Sequence, residues 1–356
     1  MSMRHRFFIY IAMGSSLLAG VMSTSCTKDT PAEKEDASIL FHVKSQQYVV
    51  AGTSRTIVED TEELLNLEPP IYVSDENSAS GINNREIDFL SAGIWRDDNL
   101  RWNNNLTYTF YGYVSLPEPN QGNSGSGPYI SNSQNGRYVE ITQPDSYDDD
   151  PGHWADYLLS YRVSARGADR PIVNLQFERV TSGVELYITR GSNIPDAKVT
   201  CVTFSGVKRK TRMTLTNHAT NGDSPGATGM KNLWSNATEN ETVAYVKQTT
   251  ESDGFQVLEF EEAKGKYHTD YRFMRFLTVP QTLGSVNTLE IAYQVLENNT
   301  WQLYDVMFSL DSYKPAEWTI GHKVRYYLNI DTSMELQAVV ERWDTSNVIE
   351  GTFIPD

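Results

Sequence analysis

The sequence has few cysteines, few basic residues and little helical periodicity. Only two cysteines occur in 356 residues, Cys26 and Cys201, so at most one disulfide could form within the chain. The 30 lysines and arginines are outnumbered by 46 aspartates and glutamates, which gives a net charge of −16. A nucleic-acid-binding surface needs clustered positive charge. The composition therefore argues against nucleic acid as a partner.

Motifs that would indicate catalysis are also missing. The sequence contains no Gly-x-Ser-x-Gly elbow, no phosphate-binding loop and no dinucleotide-binding fingerprint. The six histidines are scattered, without metal-binding spacing. Cys201 lies among residues that alternate like those of a buried strand, so we expect a small, unreactive core residue. We predict that the protein is not an enzyme and uses no cofactor.

The best candidate for a metal site is the acidic run from Asp148 to Asp150, with His153 close behind. A calcium loop spaces its ligands and ends with a bidentate glutamate, and this run does neither. We therefore predict a solvated turn and no metal site. The pairs Glu62-Glu63 and Glu261-Glu262 could supply a general acid and base. Nothing in the sequence gives their carboxyls different environments, which favours solvated surface.

A single long apolar run stands at the extreme N-terminus. It extends from Phe7 to Met22 behind two arginines, and it is short for a membrane-spanning helix, which needs about twenty residues. This is the pattern of a secretory signal. The small residues before Cys26 resemble the lipobox of bacterial lipoproteins, which implies removal of the signal peptide 1–25 and acylation of Cys26 with fatty acids such as palmitate. The polar residues 26–38 then form a flexible tether.

The rest of the chain is rich in tyrosine, threonine and valine and alternates with period two, which indicates an all-β fold. The clearest pair of strands lies near the C-terminus. Four apolar residues alternate with polar ones in the first run, and a short polar connection leads to a second run of the same kind. The buried faces are predicted to be Val324, Tyr326, Leu328 and Ile330, and Leu336, Ala338 and Val340.

Short strands at near-regular spacing with turn signals between them predict β-sandwiches. Turn-forming residues cluster at 191–195, between two β-rich halves of similar size. We therefore predict an N-terminal β-sandwich domain over residues 39–193 and a C-terminal one over residues 194–356.

Several stretches, taken in order, resemble the fimbrillin family, the type V pilus subunits and related lipoproteins of Bacteroidetes. They span most of the chain: the signal ending at Cys26, residues 173–188, residues 276–281 and residues 318–343. The resemblance implies two transthyretin-like β-sandwich domains in tandem. It also implies a lipid-anchored precursor in the outer membrane and a cell-surface fimbria built with other pilus subunits, identical or paralogous. Adhesion to host or bacterial surface ligands would follow.

The resemblance further implies assembly by strand exchange. In that family a protease cuts after an arginine near the N-terminus and removes the first strand, and a neighbouring subunit donates a strand to the vacated groove, commonly from its C-terminal tail. The candidate cleavage site here is Arg55, for which an ordinary surface arginine is the alternative. The candidate donor is the tail 345–356, for which a docked or frayed terminus is the alternative. Its apolar residues are Val348, Ile349, Phe353 and Ile354.

The predicted function is a non-catalytic structural subunit of a fimbria, and the sequence leaves the position of the subunit open. An uncleaved chain would fit an anchor subunit, whereas a tip subunit would need no free donor tail. The alternative function is a surface glycan-binding lipoprotein without catalytic activity. It would need exposed aromatic side chains, for which the candidates are Trp95, Trp102 and Trp154, although packing in a core is the simpler expectation for each.

Overall fold

A computed structural model of the chain describes most of the residues after Ala37. The described residues are 38–45, 68–91, 93–116, 129–132, 138–149, 153–214, 242–249, 254–258, 272–314, 316–331 and 334–342. The signal peptide, Cys26, Arg55 and the tail 345–356 with Val348, Ile349, Phe353 and Ile354 lie outside these ranges. What the sequence indicates for them therefore stays a prediction.

The described residues form 22 β-strands and no α-helix, which confirms the all-β class. Two single-turn 3-10 helices occur at Ser78–Ser80 and Leu310–Ser312. No helix in the described ranges is long and apolar enough to cross a membrane. The first ten strands are β1 Ser38–Ser45, β2 Ile71–Asp75, β3 Arg85–Ser91, β4 Ile94–Arg101, β5 Thr107–Leu116, β6 Tyr129–Asn132, β7 Tyr138–Thr142, β8 Asp156–Ser160, β9 Val163–Arg166 and β10 Val173–Arg179. The others are β11 Ser182–Arg190, β12 Ala197–Lys208, β13 Lys210–Thr214, β14 Thr242–Gln248, β15 Phe255–Gln256, β16 Arg272–Thr278, β17 Gln281–Thr282, β18 Thr288–Glu297, β19 Thr300–Ser309, β20 Glu317–Trp318, β21 His322–Ile330 and β22 Glu335–Arg342.

Eight strands of the N-terminal half form one sheet in the order β2-β3-β4-β1-β10-β8-β5-β9. A further pairing joins β2 to β5, so seven of these strands close into a ring, hereafter the closed ring. β9 follows β8 along the same side of β5. The side chains inside the closed ring form an apolar and aromatic core that includes Ile39, Phe41, Val73, Ile87, Trp95, Phe110, Leu175 and Phe177.

A second group consists of two four-stranded paths, β16-β11-β21-β22 and β14-β12-β18-β19, with β15 also paired to β12. Side chains from both paths share one apolar core, for example Leu186 of β11, Phe204 of β12 and Ile291 of β18. Two sheets around a shared core are the arrangement of a β-sandwich. By strand pairing β11 belongs to this second group, although it precedes the predicted boundary between residues 193 and 194.

A third core joins the two groups. Its wall includes the three-stranded sheet β13-β7-β6, in which β7 pairs with β13 across a long sequence separation. The side chains of this core come from both halves of the chain: Tyr72, Tyr113, Tyr157, Val139, Ile141, Met213, Val279 and Ile320 are among them. The described residues after Asp36 form a single compact unit. The tandem of two transthyretin-like domains is therefore not confirmed, and its boundary stays a prediction.

The C-terminal hairpin is confirmed, with β21 and β22 antiparallel and Val324 opposite Val340. The four apolar residues predicted for the inner face of β21 are at most 1% exposed. The opposite face was predicted to be wet, and for Arg325 this is wrong, because its side chain is buried beside Glu185 of the neighbouring strand β11. Glu185 stands directly opposite Arg325 in the register of β11 and β21, so the two side chains lie together on the same face of the sheet.

Candidate functional site

The first described strand, β1, is one of the seven strands of the closed ring and has a partner strand on each side. It runs parallel to β10, where Phe41 is opposite Val173, and antiparallel to β4, where Phe41 is opposite Trp95. Both of its partners come from later parts of the chain, and residues 46–70 separate it from β2. Removal of β1 would therefore open a groove with two unpaired strand edges, one on β4 and one on β10.

Three alternating side chains of β1 point into the core of the closed ring. Ile39 and Phe41 are fully buried, and Val43 is 7% exposed. The ring of Phe41 meets the ring of Phe110 edge to face, with 5.4 Å between the centroids. Full burial of one such side chain is worth about 1.5–3 kcal/mol. These three residues, hereafter the β1 anchors, are the buried ones among residues 38–43 of the strand.

Two polar side-chain contacts of β1 lie at its more exposed face. Nδ1 of His42 is 3.1 Å from Oδ1 of Asn174, and Nη1 of Arg101 donates a hydrogen bond to Oγ of Ser38 over 2.8 Å. The strand is thus held mainly by main-chain ladders and by the β1 anchors. Main-chain ladders combined with alternating side chains in pockets are the chemistry of β-strand addition.

One wall of the groove is fixed without help from β1. Nε1 of Trp95 donates a hydrogen bond to the main-chain oxygen of Pro69 over 2.9 Å. The Trp95 ring also contacts the ring of Phe89 edge to face, with 5.0 Å between the centroids. These contacts tie β4 to β3 and to the residues before β2, so this side of the groove has its own support.

The three tryptophans considered for an exposed aromatic platform are buried. Trp95, Trp102 and Trp154 are each 3% exposed. Trp102 packs edge to face on Tyr108, and Trp154 packs edge to face on Tyr245. Packing in a core is confirmed for all three, so they cannot stack on a glycan at the surface.

The acidic run does not converge on one point. Oδ2 of Asp148 lies 2.6 Å from Nδ1 of His153. Oδ1 of Asp149 accepts hydrogen bonds from the Tyr147 hydroxyl over 2.5 Å and from Nζ of Lys247 over 2.8 Å. Asp150 and the pairs Glu62-Glu63 and Glu261-Glu262 lie outside the described residues. Within the described ranges, no three His, Cys, Asp or Glu side chains are grouped so that they could hold a metal ion.

Cys201 is a free thiol on strand β12, but it is half-buried rather than buried. The register between β12 and β18 shifts between Val199 and Cys201, which marks a β-bulge at Thr200. A bulge inserts one residue and moves the following side chains to the other face of the strand. The expectation of a core cysteine was wrong for this reason.

A buried ion pair lies where the chain passes from the closed ring to the second group. The guanidinium of Arg179, at the end of β10, donates from Nε and Nη2 to the two carboxylate oxygens of Asp156 over 3.0 and 2.6 Å. Oγ1 of Thr181 donates to the same carboxylate over 3.0 Å. Sequence reasoning missed this site. The signal that could have found it is an aspartate at the start of the apolar run Tyr157-Leu158-Leu159.

Comparison with known proteins agrees with this all-β architecture. The sequence model of the fimbrillin-like family matches residues 70–343, which is more than half of the chain. A search among curated protein sequences gives no match.

Among solved structures, a fimbrial protein from Bacteroides vulgatus has a TM-score of 0.52 at 13% identity, covering 85% of this chain and 99% of that one. A fimbrial assembly protein from Parabacteroides distasonis has a TM-score of 0.39 at 10% identity, covering 86% of this chain and 96% of that one. At these identities the first likeness shows the fold alone. The match of the family model over residues 70–343 shows that the chain belongs to the fimbrillin-like family.

Proposed function

We propose that the protein is a structural subunit of a cell-surface fimbria, exported as a lipoprotein through Cys26 and assembled by exchange of strand β1. The observation that carries the proposal is the interior position of β1 between β4 and β10. An interior strand close to the N-terminus can be replaced by a strand from another subunit with the same ladders and the same pockets. Membership of the fimbrillin-like family supports the role.

Lipid attachment is the first step of the proposed route. Acylation of Cys26 after removal of residues 1–25 anchors the precursor in the outer membrane, because two or more acyl chains give stable membrane attachment. Metabolic labelling with a radioactive fatty acid tests this step. Label is expected on the wild-type chain and on the control Thr27→Ser, and no label on Cys26→Ser. A labelled Cys26→Ser chain would contradict lipidation at this residue.

Cleavage after Arg55 is the second step. It severs β1 from β2 and leaves β1 held only by non-covalent contacts. N-terminal sequencing of protein from the outer surface tests it, and a mature chain that begins at Thr56 is expected. Arg55→Ala should keep the N-terminus at Cys26, whereas the nearby control Glu59→Gln should mature normally. A wild-type surface chain that still begins at Cys26 would remove this step and would fit an anchor subunit.

Donation of the tail 345–356 to the next subunit is the third step. In cells that carry the partner subunits, the exported protein should run as SDS-stable ladders, and deletion of residues 345–356 should shorten them, because the chain can then accept a strand but not donate one. Deletion of residues 117–128, a polar segment of the same length far from the tail in sequence, is the control and should leave the ladders unchanged. Ladders of unchanged length after loss of the tail would show that another segment is the donor.

A further inference from the structure

The groove occupied by β1 is specific about the side chains that it accepts. The β1 anchors stand at alternate positions, with an aromatic residue in the middle and a branched aliphatic residue on each side. The middle residue, Phe41, is fully buried and meets Phe110, Val173 and Trp95 through ring contact or strand pairing. A replacement strand therefore needs large apolar residues at three alternate positions, with an aromatic ring in the centre.

The tail of this chain does not offer that pattern. Successive residues of a strand point to opposite faces, so the tail would present two sets of side chains if it were donated as a strand. One face carries Ile349, Gly351 and Phe353, with glycine at the central position. The opposite face carries Val348, Glu350, Thr352 and Ile354 and would place a carboxylate in the core. The central residue is the same whichever way the donor strand runs.

A shift of register does not repair the mismatch. If Phe353 took the central pocket, its neighbours on that face would be Gly351 and Pro355. Proline has no main-chain N–H for the ladder, and it is confined to edges and ends of sheets. Glycine leaves its pocket empty. Each register of the tail therefore leaves at least one pocket unfilled or places a polar or charged group inside it.

We infer that the strand which replaces β1 comes from a different subunit, and not from the tail of a second copy of this chain. Its donor carries an aliphatic, an aromatic and an aliphatic residue at alternate positions. The inference rests on the proposed strand exchange, and it names the partner by the chemistry of its donor strand. The assembly is then heteropolymeric at this joint, because the groove and the tail of this chain do not fit each other.

Peptide exchange into a nicked full-length chain tests the inference. A recognition sequence for a site-specific protease is placed after Arg55, and cleavage leaves β1 bound without a covalent link to β2. Four fluorescent peptides are then compared: residues 38–45, the tail 345–356, the tail with Gly351→Phe/Phe353→Val, and the tail with Thr352→Phe/Phe353→Val. The third peptide has the same alternation as the β1 anchors. The fourth is the matched control, because its new ring lies on the other face.

The 38–45 peptide and the Gly351→Phe/Phe353→Val tail should displace β1, read by fluorescence anisotropy and by mass spectrometry of the released fragment. The wild-type tail and the control should bind about a hundredfold or more weakly, as expected when an aromatic core pocket stays empty. Binding of the wild-type tail within tenfold of the 38–45 peptide would overturn the inference. Failure of the 38–45 peptide itself to exchange would overturn the strand exchange of the proposed function, and the inference with it.

The same contrast can be read in cells. Full-length chain made without other pilus subunits should give no SDS-stable ladder, and Gly351→Phe/Phe353→Val should give one. Thr352→Phe/Phe353→Val should behave like the wild type. A ladder formed by the wild-type chain alone would show that the tail fits its own groove and would overturn the inference.

Discussion

At the scale of the residue, Glu185 carries a buried negative charge that arginine side chains compensate. Its carboxylate is fully buried and accepts a hydrogen bond from Nε of Arg325 over 2.8 Å, while Nε of Arg275 lies 3.9 Å away. Arg325→Ala should lower the free energy of unfolding by about 3 kcal/mol, because a buried carboxylate loses its closest cation. Glu185→Leu/Arg325→Met should cost less than the sum of the two single changes. Urea unfolding of the wild type, Arg325→Ala, Glu185→Leu, Arg325→Met and the double variant measures both.

An exposed pair provides the control for this prediction. Nε of Arg96 lies 2.8 Å from Oδ1 of Asp98, and both side chains are exposed to solvent. Removal of the cation in Arg96→Ala should change the free energy of unfolding by less than about 1 kcal/mol, as is usual for surface ion pairs. Equal losses for Arg96→Ala and Arg325→Ala would contradict the importance of burial.

Tyr326 gives a second prediction, for alkaline pH. Its hydroxyl accepts a hydrogen bond from Nε1 of Trp318 over 3.0 Å, and burial raises its pKa from 10.0 to about 12. The unfolded chain therefore loses this proton first, and stability should fall as pH rises from about 10 to about 12, by about 1.4 kcal/mol per pH unit for this group. Tyr326→Phe should make the fall shallower by that amount. Thermal unfolding at several pH values tests it, and parallel curves for the two proteins would contradict it.

The alternation of apolar and polar residues predicted correctly that many single residues are buried. It failed where a neighbouring strand determines the burial of a residue. The inner face of β21 could be predicted because four apolar residues recur at period two. The burial of Arg325 could not be predicted, because its partner Glu185 belongs to β11, and the sequence does not show that β11 lies beside β21. Cys201 could not either, because the bulge at Thr200 arises from pairing with β18. The sequence shows the period of a strand. A shift of register depends on the strand that pairs with it, here β18, and this pairing cannot be seen in the sequence.

At the scale of the element, β1 makes the most specific prediction. Phe41→Ala should lower the free energy of unfolding by about 3–5 kcal/mol, because it empties an aromatic pocket in the core of the closed ring. The neighbouring residue His42 is the control, since it lies on the other face of the strand and is only partly buried. His42→Ala should cost less than about 1 kcal/mol. Guanidinium unfolding measures both, and equal losses would show that β1 is not held by its buried face.

The positions of strands in the sequence were easier to predict than the pairing between strands. Period two marked β21 and β22 of the C-terminal hairpin, but alternation contains no information about which other strand lies beside them. The parallel pairing of β1 with β10 and the closing pairing of β2 with β5 both join residues far apart in sequence. The interior position of β1, on which the proposed function rests, therefore had to come from the structure.

At the scale of the whole molecule, the third core should make the chain unfold as one unit. It combines side chains of the closed ring, such as Tyr72 and Tyr113, with Val279 and Ile320, which lie just after β16 and just before β21 of the second group. Scanning calorimetry should therefore give a single transition with equal calorimetric and van't Hoff enthalpies. Phe41→Ala should move the entire transition to lower temperature. Two separate transitions, with only one moved by Phe41→Ala, would instead indicate independent tandem domains.

Composition and turn signals predicted the class of the whole molecule but not how its parts join. Valine, threonine and tyrosine with period two were sufficient for an all-β fold, and the ordered motifs pointed to the fimbrillin family. The third core was not predicted, because Tyr157, Val180 and Met213 look like ordinary strand residues in the sequence. Their common packing follows from the three-dimensional path of the chain.

The closed ring has one more consequence, which concerns the precursor before assembly. A neighbour can begin to pair only where a strand edge is unoccupied, and while β1 is in place the ring presents none at β4 or β10. Under the proposed route the precursor therefore cannot accept a strand at β4 or β10, even at a high concentration of subunits in the membrane. Polymerisation at this joint could then begin only after one irreversible chain scission, whatever the concentration of subunits before it.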